Sequence, residues 1–507
     1  MNTFFRTACG ALSLAAIIFG NAGAAAQKLV ILHTNDTHSQ IEPGDDGLGG
    51  VVRRKALVDS VRAAQPEVML VDAGDAVQGT LYFTLFGGDV ESKVMNHLGY
   101  DLQILGNHEF DNGADWIGGY WKKLNAVKLA SNYDLAGTSA RDMSDPFFVK
   151  EVGDKKVGFI AINIKPDGLI DPEKSKGVEY YDAIEAANSL AWYLKHILKV
   201  DKVVALTHIG YVNDHSVSDA DLARMSKDID VIIGGHSHTV VSPVPNTKTT
   251  PYHLNALGDT VIVAQTGRLG RNVGEVDIDF DNNRIDYKLI PVNSRLDSRH
   301  DAELEAIIAP YKQKVDSIKA VRIGKVAMDM KVSDRTLLNW MADFVYDFGR
   351  DIAPDHRVDL AIVNKGGIRK DIAKGPLTKG EIMETFPFDN YVIVMDLKGS
   401  DLIDVLNSMV VDGGNGVSRQ VNATMNREGK RCTEILIGSK PVDPDKTYRV
   451  ATINYLATGG DNMTGLTHGT PVASSKQYLY DDMIDSYEHG FRKGKPMKST
   501  AEARMHY

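Results

Sequence analysis

Six short apolar runs in the first half of the chain, each followed at once by a polar turn, constrain its fold most. Residues 29–32, 68–71, 102–105, 157–162, 203–206 and 231–233 are runs of strand length, ending in Gly, Asn, Asp, Thr or His. Between two of them Ile184, Ala187, Leu190, Leu194 and Ile197 recur at helical spacing. Such alternation predicts an α/β layout, a central sheet with helices on its faces. Residues 261–264 and 273–278 read as two further strands, closing a first domain over 27–295.

From 300 to 319 the pattern is helical, with Leu304, Ile307, Ile308, Tyr311, Val315 and Ile318 apolar. Pro310 inside it predicts a kink or a late helix start. This stretch reads as a helical linker, 296–322, leading to a second and smaller α/β domain over 323–507. No internal repeat or low-complexity tract interrupts the chain.

The first 26 residues read as a secretory signal: Arg6, a largely apolar stretch over 11–19, and the small residues Ala22, Gly23 and Ala24. The mature chain is therefore expected to be exported, to a periplasm or to the cell surface and medium. No later run approaches the ~20 apolar residues of a membrane span. Loss of Cys9 with the signal leaves Cys432 alone and excludes an internal disulfide. A net charge of −10 argues against general affinity for nucleic acid or an anionic membrane. An anionic small molecule stays compatible, because bound cations can reverse a local field.

The strand ends carry the chemistry. "LHTNDTH" supplies Asp36 and His38, "VDAGD" supplies Asp75, and "LGNHEFD" supplies Asn107, His108 and Asp111. "ALTH" supplies His208, and "GGHSH" supplies His236 and His238. A lone Asp-x-His is ordinarily a capped turn, and a lone His-x-His a solvated loop. Five such endings on one sheet share the carboxyl edge of the parallel strands, where ligands bind. Burying so many carboxylates and imidazoles together is unfavourable unless cations accompany them. Asp36, His38, Asp75, Asn107, His208, His236 and His238 exceed one coordination shell and point to two divalent ions bridged by Asp75. Oxygen and imidazole donors without thiolate suit Zn, Mn, Fe or Co.

With these motifs in place, "LVILHTNDTHSQIEP", "DAGDAVQGT", "ILGNHEFDNG", "THIG" and "DVIIGGHSHT" together resemble the 5′-nucleotidase family, over nearly all of 28–295. "HTNDTH" is more like the 5′-nucleotidases than the related 2′,3′-cyclic phosphodiesterases or the thiosulfate-hydrolysing relatives. The resemblance implies a metallophosphatase domain, a sheet sandwich flanked by helices. It implies that Asp36, His38, Asp75 and His238 hold one metal, and Asp75, Asn107, His208 and His236 the other. His108 and Asp111 lie three apart at a predicted helix start, so a carboxylate can orient and charge one imidazole. The family assigns this pair a catalytic role; the plainer alternative is a cap made by Asn107 beside a solvated His108. Glu109 reads as structural.

"IVNKGGIRKDI", "TFPFDNYVIVMDLKG" and "VDPDKTYRVATINYLATGGDN" resemble the family's C-terminal domain. That implies substrate-binding roles for Asn364, Arg369, Phe388 and Asp461, and rotation of this domain about the linker. Two positions depart from the pattern. Asn462 and Met463 stand where the family has glycine and a base-stacking aromatic. Lys331 stands where it has an arginine, with Arg335 nearby, and the resemblance assigns that role to neither. The expectation is a metal-dependent enzyme acting on a small nucleotide, a nucleoside 5′-monophosphate. Its rivals are a broader hydrolase of UDP-sugars, di- or triphosphates or cyclic nucleotides, and a non-catalytic nucleotide- or metal-binding surface protein.

Overall fold

The structure, a computed structural model, describes residues 27–213, 216–246, 248–411 and 415–507. The signal-peptide reading of 1–26 lies outside them. The chain divides into two compact units. The first comprises the described residues up to Val77, with Glu91–Lys165 and Gly177–Glu305. The second comprises Gln78–Val90, Pro166–Lys176 and Ala306–Tyr507.

The first unit is built on two six-stranded sheets. One contains β1 (Lys28–Thr34), β2 (Val68–Asp72), β3 (Leu102–Ile104) and β4 (Val127–Leu129) in parallel. The hairpin of β13 (Asn272–Asp279) and β14 (Arg284–Pro291) extends it on the other side of β1, antiparallel. A small ribbon joins β5 (Tyr133–Asp134) and β8 (Glu179–Tyr180). The second sheet contains β7 (Lys155–Asn163), β9 (Lys202–His208), β10 (Val231–Ile233) and β12 (Thr260–Ala264) in parallel. Its edges are the antiparallel strands β6 (Phe147–Val152) and β11 (Tyr252–Leu254).

All the strand runs read from the sequence are present. Their core stretches, such as Leu29, Ile31, Val204 and Ile232, are fully buried, which is why they read as unbroken apolar runs. The two sheets are the sandwich that the family resemblance implies; the apolar runs by themselves, read as one central sheet, do not divide the strands between them. Parallel strands buried on both faces look alike in sequence whichever sheet they join. The tight β6–β7 hairpin, with Gly153 at φ 63°, starts the second sheet and is invisible to apolar patterning.

In the second unit a five-stranded mixed sheet is ordered Gly416–Val417, Leu360–Val363, Thr447–Ile453, Val392–Lys398, Thr470–Ser474. The helix Thr336–Ile352 covers it, and its fully buried Trp340 and Phe344 stack 5.5 Å apart. The helix Ala302–Lys319 begins in the first unit and continues into the second, with Pro310 inside it and not at its start. Among the described residues no helix is long and apolar enough to cross a membrane. Cys432 is free and half-buried.

Candidate active site

Both sheets of the first unit deliver their polar strand exits to one place. Asp36 and His38 follow β1, Asp75 follows β2, Asn107 and His108 follow β3. From the second sheet, His208 ends β9, and His236 and His238 follow β10. Asp36, His38, Asp75, His236 and His238 all have positive φ, between 48° and 75°. Five non-glycine residues in the left-handed region at one site mark backbone held by its surroundings, as functional sites are. Close approach demands glycine beside them. An added Cβ at Gly106 would overlap Asp75 Oδ1, and one at Gly235 would lie 2.7 Å from His208 Nδ1.

The donor atoms fall into three overlapping groups. Those of Asp36, His38 and His238 lie within 4.8 Å of one another, as do those of Asp36, Asp75 and His208. The third group is His38, Asp75 and His108. Nε2 of His38 faces Nε2 of His238 at 2.9 Å, and Asp36 Oδ1 is 3.4 Å from the latter. His236 Nδ1 is 2.8 Å from Asn107 Oδ1. The last contact replaces the capping alternative, since the Asn107 side chain makes no cap hydrogen bond.

Electrostatics agree with a cation-binding cluster. Burial alone would raise the Asp75 carboxyl, yet His208, His108 and His38 hold it well below the usual carboxylate range. His208 is pulled down by burial but pushed up overall, to about 10, by the charge of Asp75. His236 is pushed down to about 4, by burial first and by His208 second. Nδ1 of His208 donates to Ala73 O at 2.7 Å, which turns Nε2 inward. That buried Nε2 lies 3.2 Å from Asp75 Oδ2 and 3.9 Å from Asp36 Oδ1. An imidazole nitrogen buried between two carboxylates is an arrangement that a divalent cation would satisfy. The residues fit such ions.

His108 Nδ1 meets Asp111 Oδ2 at 2.8 Å, as the three-residue spacing suggested. Its Nε2 lies 4.0 Å from Asp75 Oδ2, so the ring also borders the donor cluster. Glu109 is fully buried and accepts backbone N–H groups from Gly106 at 2.6 Å, Ala76 at 2.9 Å and Asp75 at 3.1 Å. Burial, and then the charge of Asp75, raise it to about 8. Two fully buried amides escaped the sequence reading: Asn35, beside Asp36, and Gln265, one residue beyond β12. The signal was available, because "VIVAQTG" also ends at this edge.

In the second unit the four expected substrate-binding residues form two pairs. Asn364 Nδ2 donates to Asp461 Oδ2 at 2.9 Å, and the Arg369 guanidinium lies over the Phe388 ring at 5.7 Å. Phe388 is half-buried. Asp461, at φ 51°, is also held by Tyr455, whose hydroxyl donates to its Oδ1 at 2.7 Å. Met463 is 1% exposed, so its sulfur is not open to an incoming ring.

Two family models match the chain. Residues 29–240 match the calcineurin-like phosphoesterase model, and 317–468 match the 5′-nucleotidase C-terminal domain. Snake venom 5′-nucleotidase of Crotalus adamanteus is 30% identical over 507 residues, 89% of this chain and 83% of that protein. The chain belongs to the 5′-nucleotidase family. It is a metallophosphoesterase of that type, and the family implies divalent metal ions at the cluster described above. The trifunctional nucleotide phosphoesterase protein YfkN of Bacillus subtilis is 29% identical over 517 residues, but this chain spans 34% of its length. A 5′-nucleotidase precursor from Thermus thermophilus has a TM-score of 0.82 at 29% identity, covering 94% of this chain and 99% of that one.

Proposed function

We propose that this chain is an exported, two-metal phosphohydrolase that cleaves nucleoside 5′-monophosphates to nucleoside and phosphate. The observation that carries the reading is the convergence of Asp36, His38, Asp75, His208 and His238 in a member of this family. Asp36, His38, Asp75 and His238 would hold one ion, and Asp75, Asn107, His208 and His236 the other. Oxygen and imidazole donors without thiolate suit Zn, Mn, Fe or Co. When bound, such ions supply Lewis acidity at phosphoryl oxygens and acidify water.

The remaining work falls to the chain's own groups. Hydrolysis forms a bond from water oxygen to phosphorus while the bond from phosphorus to the 5′-oxygen breaks, and the leaving oxygen takes up a proton. His108, held by Asp111, would stabilise charge developing on the phosphoryl group or protonate that leaving oxygen. Asn364, Arg369, Phe388 and Asp461 would hold the nucleoside part.

A second reading, a broader nucleotide hydrolase, draws support from the buried Met463 where the family has a base-stacking aromatic. The test is a substrate panel on the Mn²⁺-loaded full chain: AMP, UMP, ATP, UDP-glucose and 2′,3′-cyclic AMP. The monophosphates should show the highest kcat/KM. Comparable values across the panel would favour the broader hydrolase, and no phosphate release from any of them would defeat both.

A further inference from the structure

We propose that Asn35 and Gln265 are positioning residues that fix, from opposite sheets, how Asp36, His236 and His238 present themselves to bound cations. The inference rests on the proposal that this cluster holds divalent ions. Its physical basis is one strip of chain, residues 265–267, to which both ligand loops are tied.

On the first-sheet side, Asn35 uses its whole hydrogen-bonding capacity. Its Oδ1 accepts from Thr266 N at 2.9 Å and Thr266 Oγ1 at 2.7 Å. Its Nδ2 donates to Gly267 O at 2.8 Å and to Asp36 Oδ2 at 2.6 Å. The last bond breaks the symmetry of the Asp36 carboxylate. Oδ2 is held by Asn35, while Oδ1 faces Nε2 of His238 at 3.4 Å and Nε2 of His38 and of His208 at 3.9 Å. Asn35 thus fixes the rotation of the carboxylate, so that one of its oxygens faces the histidines.

On the second-sheet side, Gln265 clamps the "GGHSHT" loop at both ends. Its Nε2 donates to Gly235 O at 2.8 Å, and its Oε1 accepts from Thr239 N at 2.6 Å and Ser237 Oγ at 3.0 Å. His236 and His238, with φ of 75° and 54°, sit between those anchor points. Strained backbone persists only where its surroundings over-determine it, and this clamp is the over-determination. The two halves also meet directly, since His236 N donates to both Asp36 oxygens, at 3.1 and 3.0 Å. Buried amides could satisfy themselves anywhere in the fold. These two reach the ligand loops of both sheets.

The test titrates Mn²⁺ into full-length protein freed of metal by chelation, with Mn²⁺ affinity read by calorimetry and melting followed without metal. Gln265→Met keeps the side-chain length and removes its hydrogen bonds; Asn35→Ala releases Asp36. Each should weaken Mn²⁺ binding by roughly 10–100-fold, the usual effect of losing a partner that orients a ligand. A lower melting temperature with unchanged Mn²⁺ affinity would overturn the inference, because that is what a merely structural amide does. If Gln265→Met fails to fold, Ser237→Ala removes one bond of the clamp and is judged by the same criterion. Wild-type protein that takes up no Mn²⁺ would overturn the metal reading itself, and this inference with it.

Discussion

Asp75 and Glu109, two buried carboxylates at neighbouring strand exits, are laced together through the backbone: Glu109 Oε2 accepts the Asp75 N–H at 3.1 Å. In return Asp75 Oδ1 accepts the N–H of His108 at 2.8 Å. The exits of β2 and β3 are therefore braced as a pair. Above about pH 8, where its carboxyl is ionised, Glu109 serves the brace purely as an acceptor for three N–H groups, so an amide cannot replace it there. Glu109→Gln turns one acceptor oxygen into a donor facing donors. An unsatisfied buried group costs about 1–3 kcal/mol, and the variant should lose at least that in urea unfolding at such pH. Unchanged stability would show that the brace is dispensable.

Asp75 lies in two of the three donor groups, and its carboxylate is held ionised by the surrounding histidines. Asp75→Asn removes the charge that both proposed ions share. It should lower metal content and turnover together, and a chelator should abolish wild-type activity that a divalent metal then restores. Full activity in exhaustively demetallated protein would sink the two-metal reading.

What the sequence could and could not disclose follows from range. Strand exits are local: each ligand motif sits within a few residues of its apolar run, so Asp36, Asp75 and His236 were readable. So was the His108–Asp111 contact, which spans three residues. Contacts across the fold have no such signature. Asn35 reaches Gly267, and Gln265 reaches Gly235. The apolar pattern alone does not divide the strands between the two sheets for the same reason, because a parallel strand's apolar run does not name its neighbour; the sandwich came from the family resemblance. Burial of Met463 depends on packing that no periodicity encodes.

His33 gives a pH dependence that can be worked out in sign. It is fully buried over Gly274, stacked 6.1 Å from Tyr287, and neither ring nitrogen has a hydrogen-bond partner. Burial pushes it down to about 3 from 6.5. The folded chain refuses a proton that the unfolded chain accepts, so stability falls as pH drops below 6.5, down to about 3. Between pH 7 and 5 this one group should remove about 2 kcal/mol. His33→Phe keeps a ring in the slot and should reduce the acid loss by that amount, in urea unfolding of metal-free protein at the two pH values. Equal acid losses in both proteins would refute the assignment.

Met463 occupies a position where the family places a base-stacking aromatic, yet it is buried. Its truncation should act on stability before specificity. Met463→Ala should cost about 2–5 kcal/mol, the usual range for a buried methionine, and leave the ratio of kcat/KM for AMP and UMP nearly unchanged. A purine preference that disappears in the variant at unchanged stability would show the methionine contacting the base.

The pairing of His108 with Asp111 separates catalysis from metal binding. Nδ1 of His108 is engaged at 2.8 Å, which leaves Nε2 as the working nitrogen, 4.0 Å from Asp75 Oδ2. If that nitrogen acts on the transition state, His108→Ala should keep both metals and change substrate binding little, because the interaction strengthens only as charge develops. Turnover should fall by roughly 10²–10⁴-fold, the range for a positioned acid–base group. Asp111→Asn should fall less far, since the imidazole remains while its orientation and charge lose support. The double variant should resemble His108→Ala, because groups acting as one unit are not additive. Metal content, substrate Kd and kcat measured on all three variants decide the matter. Loss of a metal in His108→Ala would make the residue a ligand, as its membership of the group with His38 and Asp75 allows. Unchanged turnover would leave the pair a purely local contact of the turn.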